Sequence, residues 1–583
     1  MNTAVTRKRL SKPKVRTGCI TCKIRRVKCD EGKPECFRCT STGRKCDGYA
    51  SQIPSSGISQ PLKTATAANS SRELRALEFF FHKTASQLAG FFEGSFWKGT
   101  VLQLSFVEPA IRQAIAAIGS LHEHKGSRKI LPPSHAASRG SDPAMQLYNR
   151  AIRATIEKAA ADTDAIPVVV VASILFTAFE FLRGNPNAAA SHISSGINLL
   201  WAWREKAGGR PKVPWGQKSS SFQSHFVETE LAPIISLFNV NTSEFSTGTR
   251  KKLLLNPVDT GTLILAERFE TLREVRVAMI DMVTATTGVF QLLDENLDKG
   301  LLPSAELLII IEGLRRTRDR WKANFDEIVR RQGSTWNKEQ QAAADVIRLM
   351  WYSTVMGTTT YRVDCECAWD VHREDFEEII RIGESIVSDP DRYPDELSKT
   401  LSLDFGLLYP LHAAAWKCRW PRLRRRGLDL LRRMPRQEWW YNVNHYHTIF
   451  SRIMKVEEAH LEPCDGIALD EATLIPEHVR VHDFCTVPTQ TKANGYSLYK
   501  LKFMTKPHGL EGEQHITTED LWLPTPHEGE AVAPFNLFCC KEWAKTERTD
   551  AQTVNMVTSV VLGLDGSQEL GSDIPLTEHD QNT

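Results

Sequence analysis

Residues 18–46 read GCITCKIRRVKCDEGKPECFRCTSTGRKC. The six cysteines, Cys19, Cys22, Cys29, Cys36, Cys39 and Cys46, fall in the pattern C-x2-C-x6-C-x6-C-x2-C-x6-C. Cys19–Cys29 and Cys36–Cys46 repeat one C-x2-C-x6-C unit, so two like halves are expected around a pseudo-twofold. A C-x2-C pair at a helix start aims both sulfurs at one ion, while free N–H groups of the first turn favour the thiolate form that metals require. Zinc takes four thiolates tetrahedrally, so six sulfurs satisfy two ions only if two of them bridge. The count fits a binuclear site holding two Zn2+.

The energetics point the same way. Ile20, Ile24, Val27 and Phe37 are the main apolar side chains of this short segment, too few for a hydrophobic core. Metal binding, worth about 10–16 kcal/mol in structural zinc peptides, must then supply the folding energy. Between Cys22 and Cys29 runs Lys23-Ile24-Arg25-Arg26-Val27-Lys28, read as a short helix with Ile24 and Val27 toward the cluster and the basic side chains outward. An outward Arg reads guanine O6/N7 bidentately in the major groove, whereas Lys and backbone N–H groups suit phosphates. Gly32-Lys33-Pro34 reads as the turn between the halves. A redox C-x2-C does not fit, since it needs a βαβ frame and one pair of cysteines.

Working outward, charge divides with the cysteines. Residues 1–50 hold 14 Lys/Arg against 4 Asp/Glu, a net of +10, while the other 533 residues hold 59 against 66, a net of −7. A basic head on an acidic body implies a polyanion partner for the head, most simply double-stranded DNA. Six thiolates and two Zn2+ sum to −2, so about +8 remains and binding should weaken as salt rises. Arg7-Lys8-Arg9 with Lys12, Lys14 and Arg16 form a basic arm, suited to nuclear import, phosphate clamping or both. The N-terminus lacks the apolar stretch of a secretory signal, so the thiols are expected in a reducing compartment without a disulfide framework.

The quoted stretch resembles the fungal binuclear zinc cluster transcription factors in all six cysteine positions, the basic inter-cysteine helix and the loop proline. In that family the first and fourth cysteines bridge the zincs, which implies Cys19 and Cys36 here. The resemblance places Arg25 and Arg26 in the major groove over a CGG-like triplet, with Lys23 and Lys28 as backbone or auxiliary contacts. It implies a nuclear regulator of RNA polymerase II genes that touches the transcription machinery and controls a metabolic or secondary-metabolite gene set.

At 583 residues the chain exceeds a single domain. The expected division is a basic arm (1–17), the zinc cluster (18–49), a linker (50–71), a regulatory domain (72–548) and an acidic tail (549–583). The linker, ASQIPSSGISQPLKTATAANSS, lacks aromatics and is rich in Ser, Ala and Thr. Leu74, Leu77, Phe81, Thr84 and Leu88 follow heptad spacing for about two heptads. Both a homodimer coiled coil and an ordinary core helix fit them. The last 20 residues hold five Asp/Glu and no Lys/Arg, a composition shared by activation segments and plain disordered tails.

The body reads as an all-α regulatory domain with a minor β element near its C-terminus. Pro109 begins a helix with Ile111, Ile115 and Ile118 on one face. Tyr148, Ile152 and Ile156 mark another stripe, and Val168–Leu182 is apolar on nearly all sides, hence central. Leu265–Leu293, Asp345–Met356 and Phe376–Ile386 continue the series, with surface loops at 126–143 and 204–221. The longest apolar run, Val168–Phe179, is 12 residues, short of the roughly 20 that cross a bilayer, so no membrane partner is expected. Residues 417–436 carry nine Lys/Arg, yet Leu423, Leu430 and Met434 with Pro421 and Pro435 describe a helix with a buried stripe and a solvated basic face. This stretch, with Glu438-Trp-Trp and Glu457–Glu458, resembles the C-terminal regulatory region of many such factors. So does Phe179–Trp201 with Glu180, Gly184, His192 and Gly196. Tyr496–Thr505 alternates as a half-buried strand, with Val479–Val487 as its partner.

Enzyme signatures are missing. Gly94–Thr100 imitates a P-loop spacing but has Thr100 where the phosphate-binding Lys belongs. His478 and His482, and His122 and His124, lack the companions of a zinc protease. Cys365-x-Cys367 and Cys539-Cys540 lack partner ligands and read as packing thiols. The competing class is a metabolite-binding or enzymatic protein with an accessory zinc module.

Overall fold

The computed structural model describes residues 19, 21–22, 25, 27–33 and 35–46 of the head. In the body it describes 71–92, 94–127, 142–162, 165–206, 225–243, 265–299, 301–361, 363, 365–393, 401–403, 406–434, 437–438, 441–460, 475–510 and 512–525. The expected basic arm, residues 50–70 of the expected linker and the acidic tail lie outside these residues, while Ser71, the last residue of that linker, is helical. The chain divides into two units, Met1–Asn69 and Ser70–Thr583.

In the head, Thr21–Cys22 are helical and α1 (Phe37–Thr40) follows Cys36. All six cysteines face inward and Val27 packs on them. Phe37 is 73% exposed, so it adds nothing to a core, and among the described residues of this unit the interior is made of the sulfurs.

The body is built from helices: α2 (Ser71–Phe79), α3 (Val101–Val107), α4 (Pro109–Ser127), α5 (Pro143–Ala161), α6 (Ile166–Arg183), α7 (Pro186–Lys206), α8 (Ala232–Ser243), α9 (Leu272–Asp298), α10 (Ala305–Gln332), α11 (Lys338–Thr359), α12 (Arg373–Val387), α13 (Leu408–Lys417), α14 (Pro421–Arg432) and α15 (Val443–Glu457). Local sequence sets their starts. Asp142 caps α5 ahead of Pro143, Ser304 caps α10, and Asn337 with Gln340 forms a reciprocal capping box on α11. On α4, Ile111, Ile115 and Ile118 are fully buried. Helix α6 is buried from Val170 to Leu182 and shares one core with α4, α5 and α7. On α5 the inward face is Ala144, Leu147, Tyr148 and Ala151, whereas Ile156 is 63% exposed. The small residues Ala144 and Ala151 let α5 approach its neighbours closely, which turns Ile156 outward.

Leu77, Thr84 and Leu88 of the possible heptad run are buried in the body. Helix α2 continues through a π-wound turn, Phe80–Thr84, into Ala85–Ala89 and packs on α4. The approach is close enough that a Cβ on Gly119 would lie 2.1 Å from the Ala76 carbonyl oxygen. The P-loop-like stretch Ser95–Thr100 is a π-wound helical turn with Phe96 and Trp97 buried, not a phosphate loop.

A second core joins α9, α10 and α11, where Trp321 stacks on Trp351 with ring centroids 5.3 Å apart and donates to the Val275 carbonyl at 3.1 Å. Ile166–Arg183 and Leu272–Asn296 are long and apolar enough to cross a bilayer by length and composition, but 78% and 61% of those windows are buried in the protein. That burial is the pattern of core helices.

Among the described residues, two small sheets accompany the helices. β1 (Leu401–Ser402), β2 (Gln437–Glu438) and β3 (Tyr441–Asn442) pair in that order. Near the C-terminus, β4 (Asp483–Ala493), β5 (Tyr496–Thr505) and β6 (His515–Pro524) form an antiparallel meander. Asn494 and Gly495 both have positive φ, 49° and 80°, which makes the β4–β5 turn a two-residue hairpin of the kind Asn-Gly favours. Phe484, Leu501 and Phe503 bury the inner face. The partner strand of β5 starts at Asp483 instead of Val479, because Glu477–Val479 is a 3-10 turn.

The basic helix α14 corrects one expectation. Leu423, Leu430 and Met434 are buried as its spacing implies, but Arg424 and the preceding Arg419 are fully buried too, so the basic face is not all solvated. Arg419 and Arg424 grip Glu457 at 2.9 and 2.5 Å, and Lys417 and Arg419 reach Glu366 at 2.7 and 3.0 Å. Arg425 and Arg426 point outward to Glu458 and Glu384. Burial alone would raise the Glu457 carboxyl, but Arg419, Arg424 and the Val481 N–H hold it down to about 2. Buried cations occur here because each has a carboxylate or carbonyl partner. Nine of the ten described cysteines are free, and Cys485 is disulfide-bonded, which departs from the expectation that no disulfides form.

Candidate metal centre and nucleic-acid interface

The six head cysteines converge. Sγ–Sγ separations are 3.5 Å for Cys19–Cys36, 3.8 Å for Cys19–Cys39, 3.7 Å for Cys22–Cys36 and 3.8 Å for Cys22–Cys39. A tetrahedral zinc with Zn–S near 2.3 Å sets its sulfurs about 3.8 Å apart. Two sets of four have all sulfurs within 4.8 Å of one another: Cys19, Cys22, Cys29 and Cys36, and Cys19, Cys36, Cys39 and Cys46. The sets share Cys19 and Cys36. The cluster therefore fits a binuclear site in number, spacing and donor type.

Backbone donors prepare the sulfurs for negative charge. Cys22 N–H donates to Cys19 Sγ at 3.3 Å, Cys19 N–H to Cys29 Sγ at 3.4 Å, and Glu31 N–H to Cys29 Sγ at 3.4 Å. Burial pushes the Cys19 thiol up to about 12 and raises those of Cys22 and Cys36 as well. Thiolates in this setting need a compensating cation, as metal sites whose binding releases protons do.

The halves are also tied outside the sulfurs. Asp30 accepts from the backbone N–H groups of Phe37 and Arg38 at 2.8 and 2.7 Å, so a carboxylate of the first half caps α1 of the second. Those two bonds hold its carboxyl below the usual carboxylate range, the Arg38 N–H contributing most. The sequence reading passed over Asp30; an acidic residue directly after a ligand cysteine is its only mark. Of the expected DNA contacts, Lys28 is exposed. Arg25 is partly exposed and donates through Nη1 to Thr42 Oγ1 at 3.3 Å. Lys23 and Arg26 lie outside the described residues.

Comparison with known proteins now decides the head. Residues 17–56 match the family model described as the fungal Zn(2)-Cys(6) binuclear cluster domain. The head is a fungal binuclear zinc cluster domain. An aspercryptin biosynthesis cluster-specific transcription regulator of Emericella nidulans is 35% identical over 225 residues, 33% of this chain and 36% of that protein. A transcription regulator of Purpureocillium lilacinum is 29% identical over 210 residues, 32% of this chain and 49% of the relative. A transcriptional regulatory protein of Schizosaccharomyces pombe is 48% identical over 54 residues, 9% of this chain and 11% of its own length. The matches with the first two relatives thus span about a third to a half of their lengths. No solved structure matches the chain.

In the body, one sequence reading changes. Cys365 and Cys367 do have a partner ligand type nearby: their sulfurs and a carboxylate oxygen of Glu477 all lie within 4.8 Å of one another. A separation of 110 residues between Cys367 and Glu477 hides this from local motif reading. His192, picked out in the sequence, accepts or donates at 2.7 Å to Tyr148 and faces Phe176, a core histidine. Cys539 and Cys540 lie outside the described residues.

Proposed function

We propose that the chain is a sequence-specific DNA-binding regulator of transcription, acting in the nucleus on genes of RNA polymerase II. The observation that carries this reading is the overlap of two four-sulfur sets at Cys19 and Cys36 within the +10 head. In this reading Cys19, Cys22, Cys29 and Cys36 would hold one Zn2+ and Cys19, Cys36, Cys39 and Cys46 a second. Bound zinc supplies the cross-link that a hydrophobic core would otherwise provide.

The rest is the work of the chain's own side chains. Arg25 and Arg26 read a CGG-like triplet in the major groove, while Lys23 and Lys28 hold phosphates. The Thr42 contact orients Arg25 and uses only Nη1 among its donors. Head charge steers association, and the acidic helical body receives contacts with the transcription machinery. Because one relative bears the name of an aspercryptin cluster regulator, a secondary-metabolite gene set is the target class. The role is regulatory and not enzymatic, in keeping with relatives named as transcription regulators.

Gel-shift titration of the full chain against a CGG-containing duplex and its scrambled counterpart tests this. Preference for the CGG duplex that persists as salt rises is expected. Equal binding to both, or loss of all binding at moderate salt, counts against sequence-specific recognition.

A further inference from the structure

The strongest group of unassigned ligating side chains lies in the body, where two segments far apart in sequence meet. Cys365 and Cys367 stand at the start of the 3-10 turn Glu366–His372, and Glu477 opens the 3-10 turn Glu477–Val479 that leads into β4. The two sulfurs and a Glu477 carboxylate oxygen are within 4.8 Å of one another. Beside it stands His482, whose side chain is 6% exposed and whose Nε2 lies 3.1 Å from Glu477 Oε1, an outer contact that orients the carboxylate.

The frame around this group is fixed. Arg480, fully buried, reaches Asp370 bidentately at 2.9 and 2.8 Å and also bonds the carbonyls of Glu366 and Ile475. Glu477 accepts from the backbone N–H groups of Glu366 and Cys367 at 2.9 Å each. Cys367 N–H in turn donates to Cys365 Sγ at 3.2 Å. Each ligating segment is thereby locked to the other by bonds that do not use the sulfurs. Such outer contacts are what position metal ligands.

We propose that Cys365, Cys367 and Glu477 form a second metal site, independent of the head cluster and selective for zinc-class cations. Two thiolates and one carboxylate are donor types that zinc accepts, with a fourth position left to solvent, and the sulfurs disfavour calcium and magnesium. Two thiolates and a carboxylate bring −3, so a divalent cation leaves −1, opposite in sign to the adjacent Arg480. Cys365, Cys367 and Glu477 are each partly exposed, which gives an ion a way in. Occupancy would cross-link the Glu366–His372 turn to the entrance of β4 and so couple the C-terminal sheet to the helices.

The test is zinc content of the purified full chain, by elemental analysis after equilibration with buffered zinc. The Cys365→Ser/Cys367→Ser variant is expected to hold one equivalent less than the native chain. A Cys19→Ser/Cys36→Ser variant should lose head zinc and keep that equivalent, so failure at the two sites is told apart. On the native chain, Cys365 and Cys367 should resist maleimide alkylation when zinc is present and react after chelation, as read by peptide mass spectrometry. The alkylation result needs no mutant and stands even where the serine variant misfolds. Equal zinc in the native and Cys365→Ser/Cys367→Ser chains, or equal alkylation with and without zinc, overturns the site.

Discussion

Asp30 Oδ1 accepts the backbone N–H of Arg38 at 2.7 Å, which binds the first half of the zinc cluster domain to the second without a sulfur. This outer contact fixes where Cys36 and Cys39 sit relative to Cys29. Asp30→Ala is expected to weaken zinc about 10-fold, within the range for lost outer-shell partners. Asp30→Asn, which keeps one acceptor, should lose less. Competition with a chromophoric chelator measures both.

Arg25 and Arg26 are the expected base readers. Replacing either by Ala should cost about 1–3 kcal/mol in discrimination between CGG and scrambled duplexes, whereas Lys28→Ala should weaken both duplexes alike and flatten the salt slope by about one. Thr42→Ala, which removes the oxygen that Arg25 donates to, should lower discrimination less than Arg25→Ala. Fluorescence anisotropy at several salt concentrations separates these outcomes.

Glu457 is fully buried between Arg419 and Arg424. Glu457→Ala leaves both guanidiniums without their shared carboxylate and should destabilise the body by about 3–5 kcal/mol, read by denaturant unfolding. The pH dependence follows from its carboxyl being held down to about 2. A carboxyl depressed on folding adds stability that is present above its ordinary range and is lost as pH falls toward the folded value. Acid titration of the native chain should therefore show a stability loss between about pH 4.5 and 2 that Glu457→Gln does not share.

Gly119 faces the Ala76 carbonyl with no room for a methyl group. Gly119→Ala should push α2 off α4 and lower stability by about 1–3 kcal/mol, as overpacking does. Gly94→Ala, with open space around its Cβ position, serves as the control in the same thermal unfolding experiment.

Much of this molecule is legible from residue order, and the failures share a cause. The six cysteines announce the head because ligand spacing is local and chemically specific. Helices α4 and α6 are legible because Ile111, Ile115 and Ile118, and the run after Val168, are periodic or continuous. Ile156 misleads because Ala144 and Ala151, not the largest side chains, set the packed face of α5. Arg419 and Arg424 look solvated because their partner Glu457 lies 33 or more residues away. Strand β6 escapes notice because both its faces are largely open and its sequence, HITTEDLWLP, carries acidic residues in place of an apolar alternation. Asp30 and Glu477 are missed for the same reason as Glu457: a single carboxylate has no pattern until the fold supplies its donors.

The central claim is that metal-bound sulfurs give the head the shape that recognises DNA. It is tested most directly by following anisotropy of a labelled CGG duplex bound to the full chain during chelator titration, with helical circular dichroism recorded alongside. Binding should disappear as the head zinc is withdrawn and return on adding zinc back, while the helical signal of the body stays. Undiminished binding to the CGG duplex after the head zinc has gone contradicts the account.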